Sequence, residues 1–369
     1  MFYQKIIRPI LFLLSAETAH NFTIDCLRLF NRSKILYNFL FKLLNYTSPR
    51  LKQNLFGQYF RTPLGLTAGL DKNATVPNVW SAFDFGFTEI GSVTAVAQQG
   101  NPKPRLWRLK KDSALVVNYG LSSLGAAKIA ERLKTSQKYY KNRGVKVISI
   151  AKTSSVPPEQ AAEDYAQSFA LLAPLADIIT INLSCPNVSG FLGLQKKELL
   201  EPVLKKITSI NKKQKPLWLK IGQDLNKQEL DDIIYLVKKY RIAAIIATNL
   251  AKDKTKLNLI SAAKNNPGGI SGRPISARAN QIIAYLYKNS DHQYKIIGCG
   301  GIFSGKDAYD KIRAGADLLL LATGFIYGGP NSIKKMNQDL DKLISQDNFS
   351  NISQIIGINA RQYELDERS

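Results

Sequence analysis

Between Pro63 and Ala322, eight short runs rich in aliphatic and β-branched residues alternate with stretches of helical periodicity, and no other feature limits the fold of this chain as much. The predicted strands cover residues 64–68, 88–93, 145–150, 178–183, 217–221, 243–247, 295–298 and 318–322. Consecutive βα units build a parallel sheet, and eight is the number that closes it on itself. Gly69-Leu70-Asp71-Lys72, Asn182, Lys220, Thr248-Asn249, Gly300-Gly301 and Thr323-Gly324 all fall at or just after strand ends. In a closed β/α barrel that rim carries the chemistry. The expected fold is therefore α/β: a (β/α)8 TIM barrel over residues 51–369, with a small helical extension over residues 1–50.

Composition narrows what such a barrel does. A chain of 369 residues, 45% of them hydrophobic, is enough to fill one barrel and its ring of helices. The three cysteines, Cys26, Cys185 and Cys299, are odd in number and far apart, which argues against a disulfide framework or a clustered zinc site and suits a reducing compartment. With only His20 and His292 as histidines, no metal centre is expected. The formal net charge of +23 favours anionic partners: acidic lipid, a phosphorylated cofactor or nucleic acid. Because the lysines are scattered and no arginine tract or nucleic-acid motif accompanies them, no nucleic-acid partner is expected.

Residues 1–50 read as short amphipathic helices. Ile7, Ile10, Leu11 and Leu14 recur at helical spacing, followed by Phe22, Leu27, Leu29 and Phe30, then by Leu36, Phe39, Leu40, Leu43 and Leu44. Ser15 and Ser33 are placed to cap two of them. Lys5 and Arg8 ahead of residues 10–14 imitate a secretory leader, but the periodicity continues past any cleavage point. No stretch reaches the ~20 apolar residues a spanning helix needs. Over residues 1–52 eight Lys and Arg stand against two acids, Glu17 and Asp25, which suits helices lying on an anionic membrane face. Ordinary packing onto the barrel fits the same pattern equally well.

Gly300-Gly301 after the seventh strand and Thr323-Gly324 after the eighth let backbone N–H groups approach a phosphate closely, although a tight strand-to-helix turn also uses such glycines. Lys220 ends the otherwise apolar Leu217-Trp218-Leu219-Lys220-Ile221; a buried ammonium there needs an anionic or polar partner, such as a reduced flavin, unless its head reaches solvent. Residues 181–187, Ile-Asn-Leu-Ser-Cys-Pro-Asn, lead into a glycine-containing loop read as a lid. Cys185 at its base, with a reference pKa of ~8.5, is a candidate general base; the alternative is a small buried hydrophobe. Asn182 and Asn187 offer paired donors and acceptors for a planar, amide-rich ring.

Taken in order, these blocks resemble the dihydroorotate dehydrogenases. The resemblance rests on Ala68-Gly69-Leu70-Asp71-Lys72, Glu89-Ile90-Gly91-Ser92-Val93-Thr94, Lys103-Pro104-Arg105-Leu106, residues 182–187, Ile246-Ala247-Thr248-Asn249 and Gly268-Gly269-Ile270-Ser271-Gly272-Arg273-Pro274. The extension is similar to that of the quinone-dependent, membrane-associated class, where it forms the quinone tunnel. The resemblance implies oxidation of dihydroorotate to orotate in de novo pyrimidine (UMP) biosynthesis, with FMN as cofactor and a membrane quinone as acceptor, at the cytoplasmic face of the cell membrane. It implies FMN contacts from Ala68, Gly69, Lys72, Ser92, Ser149, Asn182, Lys220, Thr248, Gly272, Gly301, Ala322 and Thr323. Substrate contacts would come from Lys72, Asn118, Tyr119, Gly120, Leu121, Asn182, Asn187, Asn249 and Leu250. Cys185 would be the base that takes the C5 proton while the C6 hydride leaves to the flavin, with Lys220 stabilising negative charge on the reduced ring.

The chain departs from the family pattern in several places. Cys185 stands where the quinone-using class has serine and matches the soluble class instead. Asn118-Tyr119-Gly120-Leu121-Ser122-Ser123 lacks an arginine of the family's substrate loop and carries leucine for phenylalanine and serine for asparagine. Ser149 replaces an asparagine, Ala151 a glycine and Leu250 a threonine. Each lost buried polar partner weakens binding by about 1–3 kcal/mol. Cys185 leaves fumarate or a partner flavoprotein open as acceptor, and the altered loop leaves open a non-catalytic FMN-binding membrane protein.

Overall fold

The computed structural model describes residues 2–139, 144–184, 187 and 192–365. Eight strands form a closed parallel barrel: β1 (Leu64–Leu66), β2 (Phe87–Val93), β3 (Val145–Ile150), β4 (Ile178–Asn182), β5 (Leu217–Lys220), β6 (Ala244–Ala247), β7 (Lys295–Cys299) and β8 (Leu318–Leu321). Each lies within two residues of its predicted bounds at either end. Strands adjacent in sequence pair all the way round, and β8 returns to β1 with Leu319 opposite Leu64.

These runs become strands because both faces find an apolar surface, which continuous aliphatic sequence requires. Phe87, Val147, Ile178, Trp218, Ile246, Ile297 and Leu320 point into the barrel, whereas Leu64, Ile90, Ile148, Ile179, Leu219, Ile245 and Leu319 face the helices, and all are buried. A hairpin, Gln53–Leu55 with Gln58–Phe60, lies at the N-terminal end. There Phe56, Phe60, Phe87 and Trp218 meet edge to face at centroid distances of 5.4–6.4 Å, each pair worth about 0.5–1.5 kcal/mol beyond area burial. That end is sealed, so the C-terminal mouth is where a ligand can enter.

Among the described residues, the longer helices ahead of the barrel are α1 (Ala16–Arg32) and α2 (Lys34–Leu44), preceded by a short helical stretch over Tyr3–Ile7 and Arg8–Leu11. Those around it are α3 (Ala126–Tyr139), α4 (Ala161–Leu172), α5 (Lys197–Ile210), α6 (Lys227–Lys239), α7 (Ser276–Lys288), α8 (Gly305–Arg313) and α9 (Ser332–Gln346), with a short turn of helix at Thr323–Gly328. Ser15 and Ser33 cap α1 and α2 as expected, accepting from the N–H groups of Thr18 and Leu36. A three-stranded antiparallel sheet, Leu106–Leu109, Ala114–Val117 and Gly269–Gly272, is inserted after β2 and β6 and shares a cavity with the barrel mouth.

The extension differs from the expected pattern in which side chains it hides. Its helices bury Ala16, Ala19, Ile24, Leu27, Tyr37 and Leu44, but Leu13 is 85% exposed, Ile35 81%, Leu29 66%, Phe39 63% and Phe22 57%. Helices apolar on more than one side lie against the barrel by only one of them. Among the described residues no helix is long and apolar enough to cross a membrane.

Candidate active site

A cavity of about 360 Å³ lies between the barrel mouth, the inserted sheet and α1. Its floor is the inward end of β5. Lys220 Nζ sits 3.0 Å from Glu89 Oε2 and donates to Thr67 Oγ1 at 2.8 Å, while the Thr67 hydroxyl and the Ala68 N–H donate to the same carboxylate oxygen at 3.1 and 2.8 Å. Burial alone would push the Lys220 ammonium down, but the facing Glu89 carboxylate more than offsets it, and Lys220 titrates above the usual lysine range. The anionic partner that a lysine on an apolar strand demands is therefore a residue of this chain. Glu89 could have been found by the same argument, since it lies inward between Phe87 and Gly91 on β2. Cys299 also faces this floor, and burial pushes its thiol up.

On one side the wall is backbone. Gly301 has φ +76°, and a Cβ there would come within 2.3 Å of Ser276 Cβ; Gly272 has φ +103°, and its Cβ would lie 2.5 Å from Ser113 O. Only glycine leaves this surface open beside Ala322 and Thr323, which line the same cavity.

The opposite side is built from amides and hydroxyls. Asn182 Nδ2 donates to Ser92 Oγ at 2.8 Å, and Ser92 Oγ bonds Ser149 Oγ at 2.8 Å. Asn249 Nδ2 donates to Ser184 O and Oγ at 2.8 and 3.0 Å. Asn187 Oδ1 accepts from the Gly269 N–H at 3.2 Å, and Asn101 Nδ2 ties Asn118 Oδ1 to Asn187 O, both at 3.0 Å. Gly69, Gly120, Leu121, Thr248 and Leu250 complete the wall. Two of the expected residues stand off the cavity lining: Ser149, behind Ser92, and Asn118, whose Oδ1 accepts from Asn101. Cys185 lies outside the described residues.

At the edge, α1 reaches the mouth. Lys72 Nζ is 3.9 Å from the Tyr119 ring centroid and 3.4 Å from His20 Nε2, and Arg105 lies over the same ring at 4.9 Å while pairing with Glu17 at 2.8 Å. Burial, with Arg105 nearby, lowers Lys72 to about 8; burial, with Lys72 nearby, lowers His20 to about 3 and keeps it neutral. Sequence named Glu17 only as one of two acids in a basic segment and His20 only as one of two histidines, because the residues of their helix were assigned faces by its apolar periodicity.

A parallel barrel sealed at its bottom, with charged and amide side chains gathered at its C-terminal mouth, defines an enzyme of the β/α-barrel class. More narrowly, the chain belongs to the dihydroorotate dehydrogenase family, whose model matches residues 50–344. Similar curated proteins include the dihydroorotate dehydrogenase (quinone) of Crocosphaera subtropica, 41% identical over 85% of this chain and 84% of that protein, and that of Trichormus variabilis, 38% identical over 96% and 98%. Among solved structures, the Eimeria tenella enzyme in complex with ferulenol matches with a TM-score of 0.82 at 31% identity, covering 89% of this chain and 96% of that one.

Proposed function

We propose that this protein oxidises dihydroorotate to orotate in pyrimidine biosynthesis and passes the electrons to a quinone. The observation that carries the reading is the whole-length likeness to quinone-type relatives, the helical extension included, with 96% of this chain and 98% of the Trichormus variabilis protein aligned.

FMN fits the mouth: the glycine-lined side leaves backbone accessible to a phosphate, and the floor offers Lys220, which carries its own counter-ion. When bound, FMN would accept the electron pair that dihydroorotate loses. Lys72, with no ion pair among the described residues, is the cation for the substrate carboxylate, and Asn187 and Asn249 present amides to the ring. Cys185 is the base for the C5 proton. The apolar lining contributed by Leu11, Phe12, Ile24 and Leu27 suits a quinone. The exposed Leu13, Phe22, Leu29, Ile35 and Phe39, on a segment with eight basic residues against two acidic, suit a peripheral seat on the anionic cytoplasmic face of a membrane.

Anaerobic stopped-flow mixing of the yellow protein with dihydroorotate tests the reading. Rapid bleaching is expected, followed by faster reoxidation with a soluble quinone than with fumarate. A bound flavin that dihydroorotate leaves unbleached would overturn the substrate assignment, and a fumarate preference would overturn the acceptor.

A further inference from the structure

The N-terminal helix does more than wall the cavity. Glu17 and His20 sit three residues apart on one face of α1, the spacing that brings side chains together on a helix. Glu17 Oε1 accepts from Nε and Nη2 of Arg105 at 3.0 and 2.8 Å, and both side chains are only 12% exposed. The remaining Arg105 nitrogen donates to Gln99 O at 2.7 Å and Asn101 O at 3.3 Å, so the guanidinium is held on every edge. The fixed Arg105 lies over the Tyr119 ring, which also receives Lys72 Nζ. Among the described residues the buried Tyr119 Oη has no hydrogen-bond partner, whereas two cations lie on its π system and hold this ring.

Lys72 also contacts α1 directly, at His20 Nε2. Its sequence neighbour Asp71 is engaged elsewhere, accepting from the N–H groups of Thr75 and Val76 at 2.7 and 3.1 Å. The ammonium is thus aimed by a neutral imidazole and an aromatic face, and its charge stays available to an anion at the mouth.

We propose that Glu17 and His20 are positioning residues of the substrate pocket: through Arg105–Tyr119 and directly, they set where Lys72 presents its charge, so the seating of α1 governs how tightly the substrate carboxylate is held. This rests on the reading of Lys72 as the substrate's cation. It makes one helix common to the acceptor side and the substrate side of the cavity, with affinities at the two linked thermodynamically.

The test is titration of the purified FMN-loaded protein with orotate, read as perturbation of the flavin spectrum, which involves no electron acceptor. Glu17→Ala is expected to raise the orotate Kd roughly tenfold, the loss of one charge-assisted pair, with Glu17→Asp recovering part of it. In turnover the loss falls on the KM for dihydroorotate and not on kcat. Tyr119→Leu weakens orotate similarly, and combining it with Glu17→Ala adds little further, because the two act along one path. If Glu17→Ala does not retain FMN, Arg105→Gln breaks the same bridge from the barrel side and carries the same expectation. An orotate Kd unchanged in the bridge-breaking variant, or fully additive effects in the double variant, overturns the inference alone. A wild-type spectrum that does not respond to orotate overturns the reading of the site and this inference with it.

Discussion

The barrel and the N-terminal helices solve opposite problems with similar residues. In the barrel, Ile148, Ile179, Leu219 and Leu319 are fully buried, and two of the charges that intrude, Lys220 and Glu89, are paired 3.0 Å apart. In the extension, Leu13, Phe22, Leu29, Ile35 and Phe39 stay in solvent while the charged and polar residues Glu17 and His20 turn inward. Large apolar side chains left outside cost no fold in the barrel, because none of its packing depends on them, and they mark a surface meant for something other than water. On the proposed function, chemistry and membrane contact are divided: the barrel would hold the reacting groups, while the helices carry the outward apolar face and lend two polar residues to the mouth.

The division is broken most severely if the proposed base lies anywhere but the barrel. Cys185→Ala is expected to slow flavin reduction by dihydroorotate about 10²–10⁴-fold while FMN and lipid binding persist. Stopped-flow rates measured beside vesicle sedimentation check this, and a rate within threefold of wild type sinks the assignment. Next in size is Glu89→Gln, which leaves the Lys220 ammonium buried without a counter-ion. It should lower unfolding free energy by about 3–5 kcal/mol in urea titrations. A loss below 1 kcal/mol would mean that the pair does not organise the floor.

The extension responds to different changes. Replacing Phe22, Leu29 and Phe39 together by serine should weaken binding to anionic vesicles roughly a hundredfold, since each partly inserted side chain contributes about 1 kcal/mol, half or less of a full burial. Flavin reduction by dihydroorotate should be unaffected. Vesicle affinity that survives the triple change would assign these residues to another partner.

How much of this could be read from sequence differs between the two regions for the same physical reason. Strand positions such as Val145–Ile150 and Leu318–Leu321 were legible because short aliphatic runs alternating with helical stretches mark parallel strands buried on both faces, and the glycines and amides marked the mouth. In α1 and α2 the period showed amphipathicity but not which apolar side met the barrel: Ile24 and Leu27 are inside, Phe22 and Leu29 outside. Lys220 was legible as a cation needing an anion, but Glu89 lies 131 residues away, and only closure of the barrel brings the two together. Glu17 and His20 were illegible for a related reason, since nothing local distinguishes a polar residue facing a cavity from one facing water.

The smallest expected effect tests whether the edge where the two regions meet behaves as one site. Burial lowers Lys72 to about 8, so its charge is lost as pH rises through that value. The KM for dihydroorotate should then be flat below pH 8 and climb by up to about tenfold per unit above it, because a neutral amine no longer holds the carboxylate. Stability runs the other way. Between pH 8 and the ordinary lysine value near 10.4 the unfolded chain binds the extra proton, so this group's share of stability grows with pH while substrate affinity falls. A protein unfolding over the same interval would show both falling together, so opposite slopes isolate Lys72. Lys72→Met should abolish the rise in KM, having lost the titrating group, and a rise that persists in that variant would move the titration to another residue of the mouth.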